Sequence, residues 1–364
     1  MCFAKKVKKD SNESKMIVPA TNDSTDSSRN SSHKQTESGV TPKEEAGPAK
    51  VKAMVVVKPW VNRTLEKGVP ELLNEFRSLS KWTPDGMTTE AFAANRDKNR
   101  YQDVPCQDKG RIVLKGMSSD YIHANYLGTA HNPKRFICAQ GPLENTQYSF
   151  WMTVIQEKVE CIIMLCNCIE MTKIKCHQYW PEENAKKLTF NDSSAPPITV
   201  TNTGSKKLSP EDQCINVTTL KVEWAEGSRV VNHFQWENWP DRGVPATNLT
   251  AINLLSATRG NQNPILVHCS AGIGRTGTIV AIAYVQDKMM AGEDCMAMSE
   301  LLKELRNQRP WSIQNEFQYI YLHRVLLAYF LERHKEQYGE LLNGDNQIKY
   351  QKWIEDYKQA TNSK

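Results

Sequence analysis

Cys269 and Arg275 lie six positions apart, and the five residues between them are small or uncharged. Such a segment can fold into a loop whose backbone N–H groups all point at one phosphate dianion. An arginine can bind two phosphate oxygens with its planar guanidinium, and nearby cations favour the thiolate form of a cysteine. The segment therefore predicts attack by Cys269 on phosphorus. The loop residues predicted to bind the phosphate are Ser270, Ala271, Gly272, Ile273 and Gly274.

The cysteine and arginine alone are weak indicators. A bare Cys-x5-Arg also occurs in sulfur-transfer and arsenate-reducing enzymes, and a buried, inert cysteine is a further alternative. The full string HCSAGIGRTG over residues 268–277 favours the phosphate-binding interpretation. Thr276 can donate a hydrogen bond to the departing thiolate, or simply begin a helix. His268 is expected to be structural, bonded to the loop backbone, rather than to transfer protons.

Departure of an alcohol from phosphorus also needs a proton donor. Residues 239–245, WPDRGVP, form a Gly/Pro-rich stretch around one carboxyl group, that of Asp241, and such a composition is typical of a mobile loop. Closure of this loop would bring Asp241 to the leaving group as general acid and exclude water. A surface turn with a capping aspartate is the alternative, and the presence of Cys269 in the same chain disfavours it.

The elements around these residues indicate an α/β fold. Residues 263–268 form a short apolar run that predicts a buried strand, and residues 278–289 predict a helix, so the loop between them lies at a helix N-terminus. Strand-like and helix-like runs alternate from residue 60 to 335. This pattern predicts one domain with a highly twisted mixed β-sheet flanked by α-helices.

The chain also resembles, over residues 65–335, the catalytic domain of the tyrosine-specific, cysteine-dependent protein phosphatases, of the non-receptor type with a single catalytic domain. The resemblance implies that Tyr101 stacks on phosphotyrosine and that Asp103 holds the substrate backbone. It further implies that Glu170 braces Arg275, that Lys175 contacts the general acid, and that Gln314 and Gln318 position the hydrolytic water. The matching segments besides 268–277 and 239–243 are KNRY at 98–101, DYIHANY at 120–126, AQGPL at 139–143, YWP at 179–181 and SIQNEFQY at 312–319.

Four positions depart from the pattern of that family. Arg242 stands in place of histidine, Asn315 in place of threonine, Ser149 in place of aspartate and His123 in place of asparagine. None of the four changes removes a group that the reaction needs. Arg242 places a permanent positive charge beside Asp241, which is expected to lower the pKa of that acid and move the pH optimum.

Two functions of different kinds fit these motifs. One is hydrolysis of phosphotyrosine in proteins through a cysteinyl-phosphate intermediate, and the other is a catalytically inactive module that binds phosphotyrosine. Because Cys269, Arg275, Asp241 and Gln314 are all present, hydrolysis is favoured. A phosphoinositide or dual-specificity phosphatase shares the loop. Lipid-directed loops tend to carry lysines, whereas residues 270–274 are uncharged, and the deep pocket implied by Tyr101 suits tyrosine.

Composition excludes several other classes. A net charge of +5 and the lack of interleaved basic and aromatic residues argue against nucleic acid as a partner, and the expected partners are phosphotyrosine-containing proteins. The longest apolar runs are too short to span a membrane, and the first residues lack the apolar core of a secretory signal, so a cytoplasmic location with reduced cysteines is expected. No cofactor is expected. Zinc binding by the cysteines at 161, 166, 168 and 176 is disfavoured because a Cys-x2-Cys pair is missing.

The ends of the chain differ in composition from the middle. Residues 1–58 are polar and are expected to form a disordered tail. Within it, Cys2 lies beside four lysines, which would suit S-acylation and a weak contact with an anionic membrane, although a solvated start is favoured. Residues 336–364 are expected to form a charged helical C-terminal extension.

Overall fold

The computed structural model describes residues 48–129, 131–246 and 249–362. Within them, nine strands form one mixed sheet and two more form a small hairpin. The strands of the large sheet are β1 (Arg111–Val113), β2 (Tyr121–Thr129), β3 (Asn132–Ala139), β4 (Cys161–Met164), β7 (Lys187–Asp192), β8 (Ala195–Lys207), β9 (Ile215–Trp224), β10 (Gly227–Trp236) and β11 (Ile265–His268). The hairpin consists of β5 (Ile169–Glu170) and β6 (Lys173–Ile174).

The sheet has the order β1-β2-β3-β11-β4-β10-β9-β8-β7. Its four central strands, β3, β11, β4 and β10, run parallel, whereas the outer pairs are antiparallel. The predicted mixed α/β fold is thereby confirmed. All four residues of β11 are buried between β3 and β4, which is expected for a short apolar strand in the parallel part of a sheet.

Helices flank this sheet. They are α1 (Pro48–Leu79), α2 (Glu90–Ala94), α3 (Gln147–Gln156), α4 (Thr250–Thr258), α5 (Arg275–Ala291), α6 (Met298–Arg306), α7 (Glu316–Leu327), α8 (Lys335–Tyr338) and α9 (Asp345–Asn362), with a π-helical segment at Ala328–Arg333. Helix α5 directly follows the loop after β11, and most of its residues are buried, which fits its position beside the centre of the sheet.

The first helix begins earlier than the sequence predicts. The polar tail was expected to reach residue 58, but α1 starts at Pro48 and buries Ala53, Val56 and Val57. Since these apolar residues are spaced as on one helix face, they contribute to the core. The rest of the predicted tail, including Cys2, lies outside the described residues.

The C-terminal segment packs on the same core. Tyr350, Trp353 and Tyr357 of α9 are buried and belong to the hydrophobic cluster that also contains residues of α1. They lie three or four positions apart, so one face of α9 carries the contact. In the part of the chain that the structure describes, none of the helices has a stretch apolar and long enough to cross a bilayer.

Candidate active site

The phosphate-binding loop, residues 269–274, connects β11 to the first turn of α5. Gly272 has a φ of 73°, and a Cβ atom at this position would lie 2.2 Å from the carbonyl oxygen of Ala139. Only glycine therefore fits here. The Gly272 N–H donates to Sγ of Cys269 at 3.3 Å, and Cys269 is 3% exposed. The loop thus places a buried sulfur beside backbone donors at a helix N-terminus, where an anion is stabilised.

Arg275 is held by Glu170 in a bidentate ion pair. Its Nη1 and Nη2 atoms donate to Oε1 and Oε2 of Glu170 at 2.6 and 2.9 Å. Burial alone would lower the pKa of Arg275, but the Glu170 carboxylate and the neighbouring sulfur of Cys269 outweigh it and the pKa is raised. The guanidinium is therefore fixed in position and permanently charged where a phosphate would lie.

Asp241 lies against two cations of the site. Its Oδ2 accepts from Nζ of Lys175 at 2.6 Å, and its Oδ1 accepts from Nη2 of Arg275 at 3.4 Å. Arg275 also donates to the carbonyl oxygen of Trp239 at 3.1 Å. These bonds join the loop of residues 239–245, hereafter the acid loop, to Arg275 at the end of the phosphate-binding loop, so the carboxyl group of Asp241 lies beside that loop.

The surroundings of Asp241 shift its titration. Partial burial raises the pKa of this carboxyl group, but the hydrogen bond from Lys175 and the charges of Arg275, Lys175 and Arg242 outweigh that effect, and the net pKa lies below its usual value. A bound phosphate dianion would oppose the same cations and push the pKa upward again. Binding of such a dianion therefore favours the protonated form of Asp241 relative to the empty site.

Replacement of Arg242 tests its predicted influence on the acid. Because the charge of Arg242 lowers the pKa of Asp241, Arg242→Gln is expected to raise that pKa. A general acid acts in its protonated form, so the basic limb of the kcat profile should move to higher pH. The measurement is kcat against pH. The control is Arg242→Lys, which retains the positive charge and should leave the basic limb at the pH of wild type. An unmoved limb in Arg242→Gln would contradict the expectation.

Asn315 links the acid loop to helix α7. Its Oδ1 accepts from the N–H of Gln318 at 3.0 Å and caps α7, while its Nδ2 donates to the carbonyl oxygen of Arg242 at 2.7 Å. Two of the four positions that depart from the family pattern therefore contact each other. The side chain of Asn315 serves both the helix and the loop.

The two bonds of Asn315 can be separated by substitution. Serine retains a capping oxygen but cannot reach as a donor, whereas alanine loses both bonds. We expect Asn315→Ser to lower kcat for substrates with poor leaving groups by about 2- to 10-fold, the value of one hydrogen bond, with an unchanged melting temperature. Asn315→Ala should lower the melting temperature as well. Equal kcat values in wild type and Asn315→Ser would contradict a role for the loop contact.

A cavity of about 370 Å³ opens over Cys269. Tyr101 forms one wall, and its hydroxyl lies 2.9 Å from Oγ of Ser270. Since Ser270 donates its own proton to the carbonyl oxygen of Lys175 at 3.0 Å, the tyrosine is the donor. Asp103 is exposed at the mouth. Of the predicted residues, those that line the cavity are Tyr101, Asp103, Lys175, Asp241, Cys269, Ser270, Ala271, Gly274, Arg275, Gln314 and Gln318.

The remaining predicted residues lie behind this wall. Gly272, Ile273 and Thr276 belong to the loop and the first turn of α5 without lining the cavity. The hydroxyl of Thr276 is buried and has no hydrogen-bond partner among the described residues. It thus remains an unused donor one residue beyond Arg275. Glu170 does not line the cavity either, and it contributes to the site by accepting hydrogen bonds from Arg275.

The side-chain amide of Gln318 lies at the site with its oxygen bonded and its nitrogen unpaired. Its Oε1 accepts from the N–H of Gln314 at 3.0 Å, while its buried Nε2 has no partner among the described residues. A Cβ atom at Gly274 would lie 2.9 Å from Gln314 Oε1 and 3.2 Å from Gln318 Nε2. Both amides therefore lie directly against the phosphate-binding loop, and glycine at 274 leaves room for them.

His268 is bonded to the loop backbone. Its Nδ1 lies 3.1 Å from the carbonyl oxygen of Cys269, and its Nε2 lies 2.7 Å from the hydroxyl of Tyr179. Burial lowers the pKa of His268 to about 4, so the ring is neutral at physiological pH. With one ring nitrogen bonded to a carbonyl and the other to a phenol, the imidazole has no nitrogen directed at the sulfur.

Sequence reasoning missed the residue that supports the loop from behind, Arg309. This side chain is fully buried and donates from Nε to the carbonyl oxygen of Gly272 at 3.1 Å and from Nη1 to Oδ1 of Asn125 at 2.7 Å. Its Nη2 lies 3.1 Å from Nδ1 of His123. Burial and the charge of Arg309 lower the pKa of His123 to about 3, so the histidine that replaces asparagine remains neutral and accepts this bond.

Gln140 and Arg100 were also missed as supports of the site. Gln140 accepts from the N–H of Arg100 at 3.0 Å and donates to the carbonyl oxygen of Lys98 at 2.8 Å, which holds the loop that carries Tyr101. Arg100 donates to the carbonyl oxygens of Gly141 and Pro142 at 3.1 and 2.6 Å. In the sequence, both residues are distinguished only by lying in segments that match the family, KNRY at 98–101 and AQGPL at 139–143. Within the described ranges, no three His, Cys, Asp or Glu side chains are grouped to hold a metal ion.

Comparison with known proteins places this geometry in context. A family model described as Protein-tyrosine phosphatase matches residues 95–328. Tyrosine-protein phosphatase non-receptor type 9 from Homo sapiens is 32% identical over 315 residues, which are 79% of this chain and 49% of that protein. Phosphatidylinositol phosphatase PTPRQ from Homo sapiens is 34% identical over 263 residues, which are 70% of this chain and 11% of that protein. The chain spans half or less of each of these relatives.

Solved structures share the fold. A structure of PTPN18 in complex with HER2-pY1196 phosphopeptides has 29% sequence identity and a TM-score of 0.66. The match covers 77% of this chain and 99% of that chain. The similarity therefore extends over nearly the whole of that chain.

Proposed function

The chain belongs to the protein-tyrosine phosphatase family, and we propose that it hydrolyses phosphotyrosine in proteins through a cysteinyl-phosphate intermediate. The observation that carries the proposal is the convergence of Cys269, Arg275 and Asp241 on one cavity, with Glu170 and Lys175 fixing the two charged groups. The substrates, phosphotyrosine-containing proteins, follow from this chemistry and from the phosphopeptides in the related PTPN18 complex.

In the first step, Sγ of Cys269 attacks phosphorus while the bond from phosphorus to the tyrosine oxygen breaks. Backbone N–H groups of the loop and the guanidinium of Arg275 stabilise the charge on the three remaining phosphate oxygens. Asp241 gives its proton to the departing tyrosine oxygen. The products are a tyrosine side chain and a phosphate group bonded to Cys269.

In the second step, water takes the place of the tyrosine. Asp241, now ionised, accepts a proton from the water as its oxygen bonds to phosphorus, and the sulfur–phosphorus bond breaks to release the Cys269 thiolate and inorganic phosphate. The unpaired Nε2 of Gln318 and the amide of Gln314 lie against the loop and hold this water. The hydroxyl of Thr276 is buried and has no partner among the described residues, and we propose that it donates to the departing sulfur in this step.

Two alternatives share the scaffold. A catalytically inactive module would bind phosphotyrosine without turnover, but Cys269, Arg275 and Asp241, which the two steps need, all line the cavity. The relative PTPRQ bears the name of a phosphatidylinositol phosphatase. The loop between Cys269 and Arg275 carries no positive charge, whereas Lys173 and Arg242 also line the cavity, so the comparison of substrates described next decides between the two classes.

Substitution of Tyr101 tests the substrate class. We expect wild-type protein to hydrolyse a phosphotyrosyl peptide far faster than the matched phosphoseryl peptide or a phosphoinositide. Because the ring of Tyr101 forms a wall of the cavity, Tyr101→Ala should raise KM for phosphotyrosyl peptides by about tenfold, the value of one aromatic contact, and leave the melting temperature unchanged.

Tyr101→Phe serves as the matched control. It keeps the ring and loses only the hydroxyl that contacts Ser270, so its KM should stay close to that of wild type. An unchanged KM in Tyr101→Ala, or a phosphoinositide hydrolysed faster than the phosphotyrosyl peptide, would reject the proposed substrate class. Peptide binding without turnover would favour the inactive module.

The proposed location is the cytoplasm, and the proposed type is non-receptor with one catalytic domain. All nine cysteines in the described ranges are unpaired, which suits a reducing compartment. The weak membrane contact of the N-terminal tail at Cys2 remains a prediction about residues beyond the described part.

A further inference from the structure

An exposed apolar surface lies beside the cavity, on the β5–β6 hairpin. Ile169 is 65% exposed, Met171 is 89% exposed and Ile174 is 57% exposed. They are three of the seven large apolar side chains that are strongly exposed in the described part of the chain, yet the hairpin spans only six residues. These three side chains are called the hairpin face below. Clustered exposed apolar groups commonly mark a binding surface.

The backbone fixes which way this face points. Ile169 and Ile174 are direct cross-strand partners, so they share one side of the hairpin. Glu170, the next residue along, points to the opposite side and binds Arg275. The turn is held by positive φ angles of 47° at Met171 and 65° at Thr172, as in the tight two-residue turns of hairpins.

The hairpin face is continuous with the proposed substrate site. Ile174 itself lines the cavity that contains Cys269, and its carbonyl oxygen accepts from Nη1 of Arg100 at 3.3 Å. A peptide whose phosphotyrosine fills the cavity must leave it across this mouth, at about 3.3–3.6 Å per extended residue. Where the peptide leaves on the side of Ile174, a residue near the phosphotyrosine reaches the exposed isoleucines.

We propose that the hairpin face binds a large aliphatic side chain of the substrate close to the phosphotyrosine, and so determines part of the sequence specificity. The inference rests on the proposed phosphotyrosine hydrolysis and adds to it a preference for substrates with an aliphatic residue near the phosphotyrosine. The hairpin itself is anchored through Glu170 on its other side, so the apolar groups are available for a partner. Covering an aliphatic side chain in this way favours binding through removal of apolar surface from water.

The test is a set of phosphotyrosyl peptides in which leucine or serine occupies each of the three positions on either side of the phosphotyrosine. The readout is the ratio of kcat/KM for leucine over serine at each position. We expect one position at which leucine is preferred by about tenfold, a size typical of small apolar contacts in enzyme specificity. In the double variant Ile169→Thr, Met171→Asn that ratio should fall to about one.

The substitutions are chosen to preserve the hairpin. Threonine keeps the β-branched side chain that suits a strand, and asparagine tolerates the positive φ at position 171. Turnover of p-nitrophenyl phosphate, which has no flanking residues, normalises each variant. The control is Val230→Thr, because Val230 in β10 is 57% exposed, as Ile174 is. The control should keep the leucine preference of wild type.

Several results would overturn the inference. One is a leucine-to-serine ratio of kcat/KM near one at every peptide position in wild type. The other is a leucine preference that is unchanged in the double variant. Dimerisation, or binding to anionic vesicles, that the double variant abolishes without a change in the ratio would assign the hairpin face to another occupant. If no phosphotyrosyl peptide is turned over, the proposed function fails, and the same ratios measured as peptide affinities then still test the hairpin face.

Discussion

Cys269→Ser is expected to abolish turnover of p-nitrophenyl phosphate and phosphotyrosyl peptides. The sulfur is the atom proposed to bond to phosphorus, and it lies 3.3 Å from the Gly272 N–H at a helix N-terminus that stabilises a thiolate. A serine hydroxyl is not ionised at neutral pH and has no base directed at it, because the ring of His268 bonds to the Cys269 carbonyl and to Tyr179. Loss of a nucleophile typically costs about 10⁶-fold in kcat.

The matched control is Cys214→Ser. Cys214 is a partly buried free cysteine that does not line the cavity, so its replacement should leave kcat and KM unchanged. Wild-type turnover should also persist in EDTA, because the two steps proposed use only side chains of the chain itself. Activity retained by Cys269→Ser, or removed by EDTA, would exclude the cysteinyl-phosphate mechanism.

The part of the site that lies on one contiguous segment could be predicted from the sequence. The strand predicted at 263–268 is observed as Ile265–His268, and the helix predicted from 278 begins at Arg275. Since a strand, a tight loop and a helix follow one another without a gap, the local spacing alone sets the position of Cys269 relative to Arg275. The acid loop needed a second motif, because Trp239 and Ile265 lie 26 positions apart along the chain.

The supports of the site could not be predicted in the same way. Arg309 reaches Gly272 across 37 residues and Asn125 across 184, and a lone arginine before a proline gives no sign that it will be fully buried. Its burial depends on tertiary contacts that supply a hydrogen-bond partner for each of its three nitrogen atoms. His123 is understandable only together with Arg309, since their bond requires the neutral ring.

The start of the domain was misplaced for a related reason. Residues 48–58 contain lysines and a proline that resemble the polar tail before them. Ala53, Val56 and Val57 are buried in the hydrophobic core, and this burial cannot be read from the composition of the segment. Tertiary packing rather than helix propensity stabilises most protein helices, and the first turns of α1 are an example.

Asp241→Ala is expected to lower kcat by about 10²–10⁴-fold, the usual contribution of a general acid, with little increase in KM. The carboxyl group bonds to Lys175 and Arg275, two cations that line the cavity. Its removal therefore leaves both charges available to the phosphate, and binding should be retained or strengthened. A loss that falls on kcat alone identifies a group needed only in the transition state.

Dependence on the leaving group separates proton donation by Asp241 from a positional effect. Aryl phosphates with acidic phenols leave as phenolates and need no proton, whereas phosphotyrosine does, so the Asp241→Ala loss should shrink steadily as the phenol becomes more acidic. Asp241→Asn is the control that keeps the shape and can still donate a hydrogen bond but cannot transfer a proton, and it should show the same trend. Equal losses across the series would mean that Asp241 orders the acid loop through Lys175 and Arg275 rather than protonating the tyrosine oxygen.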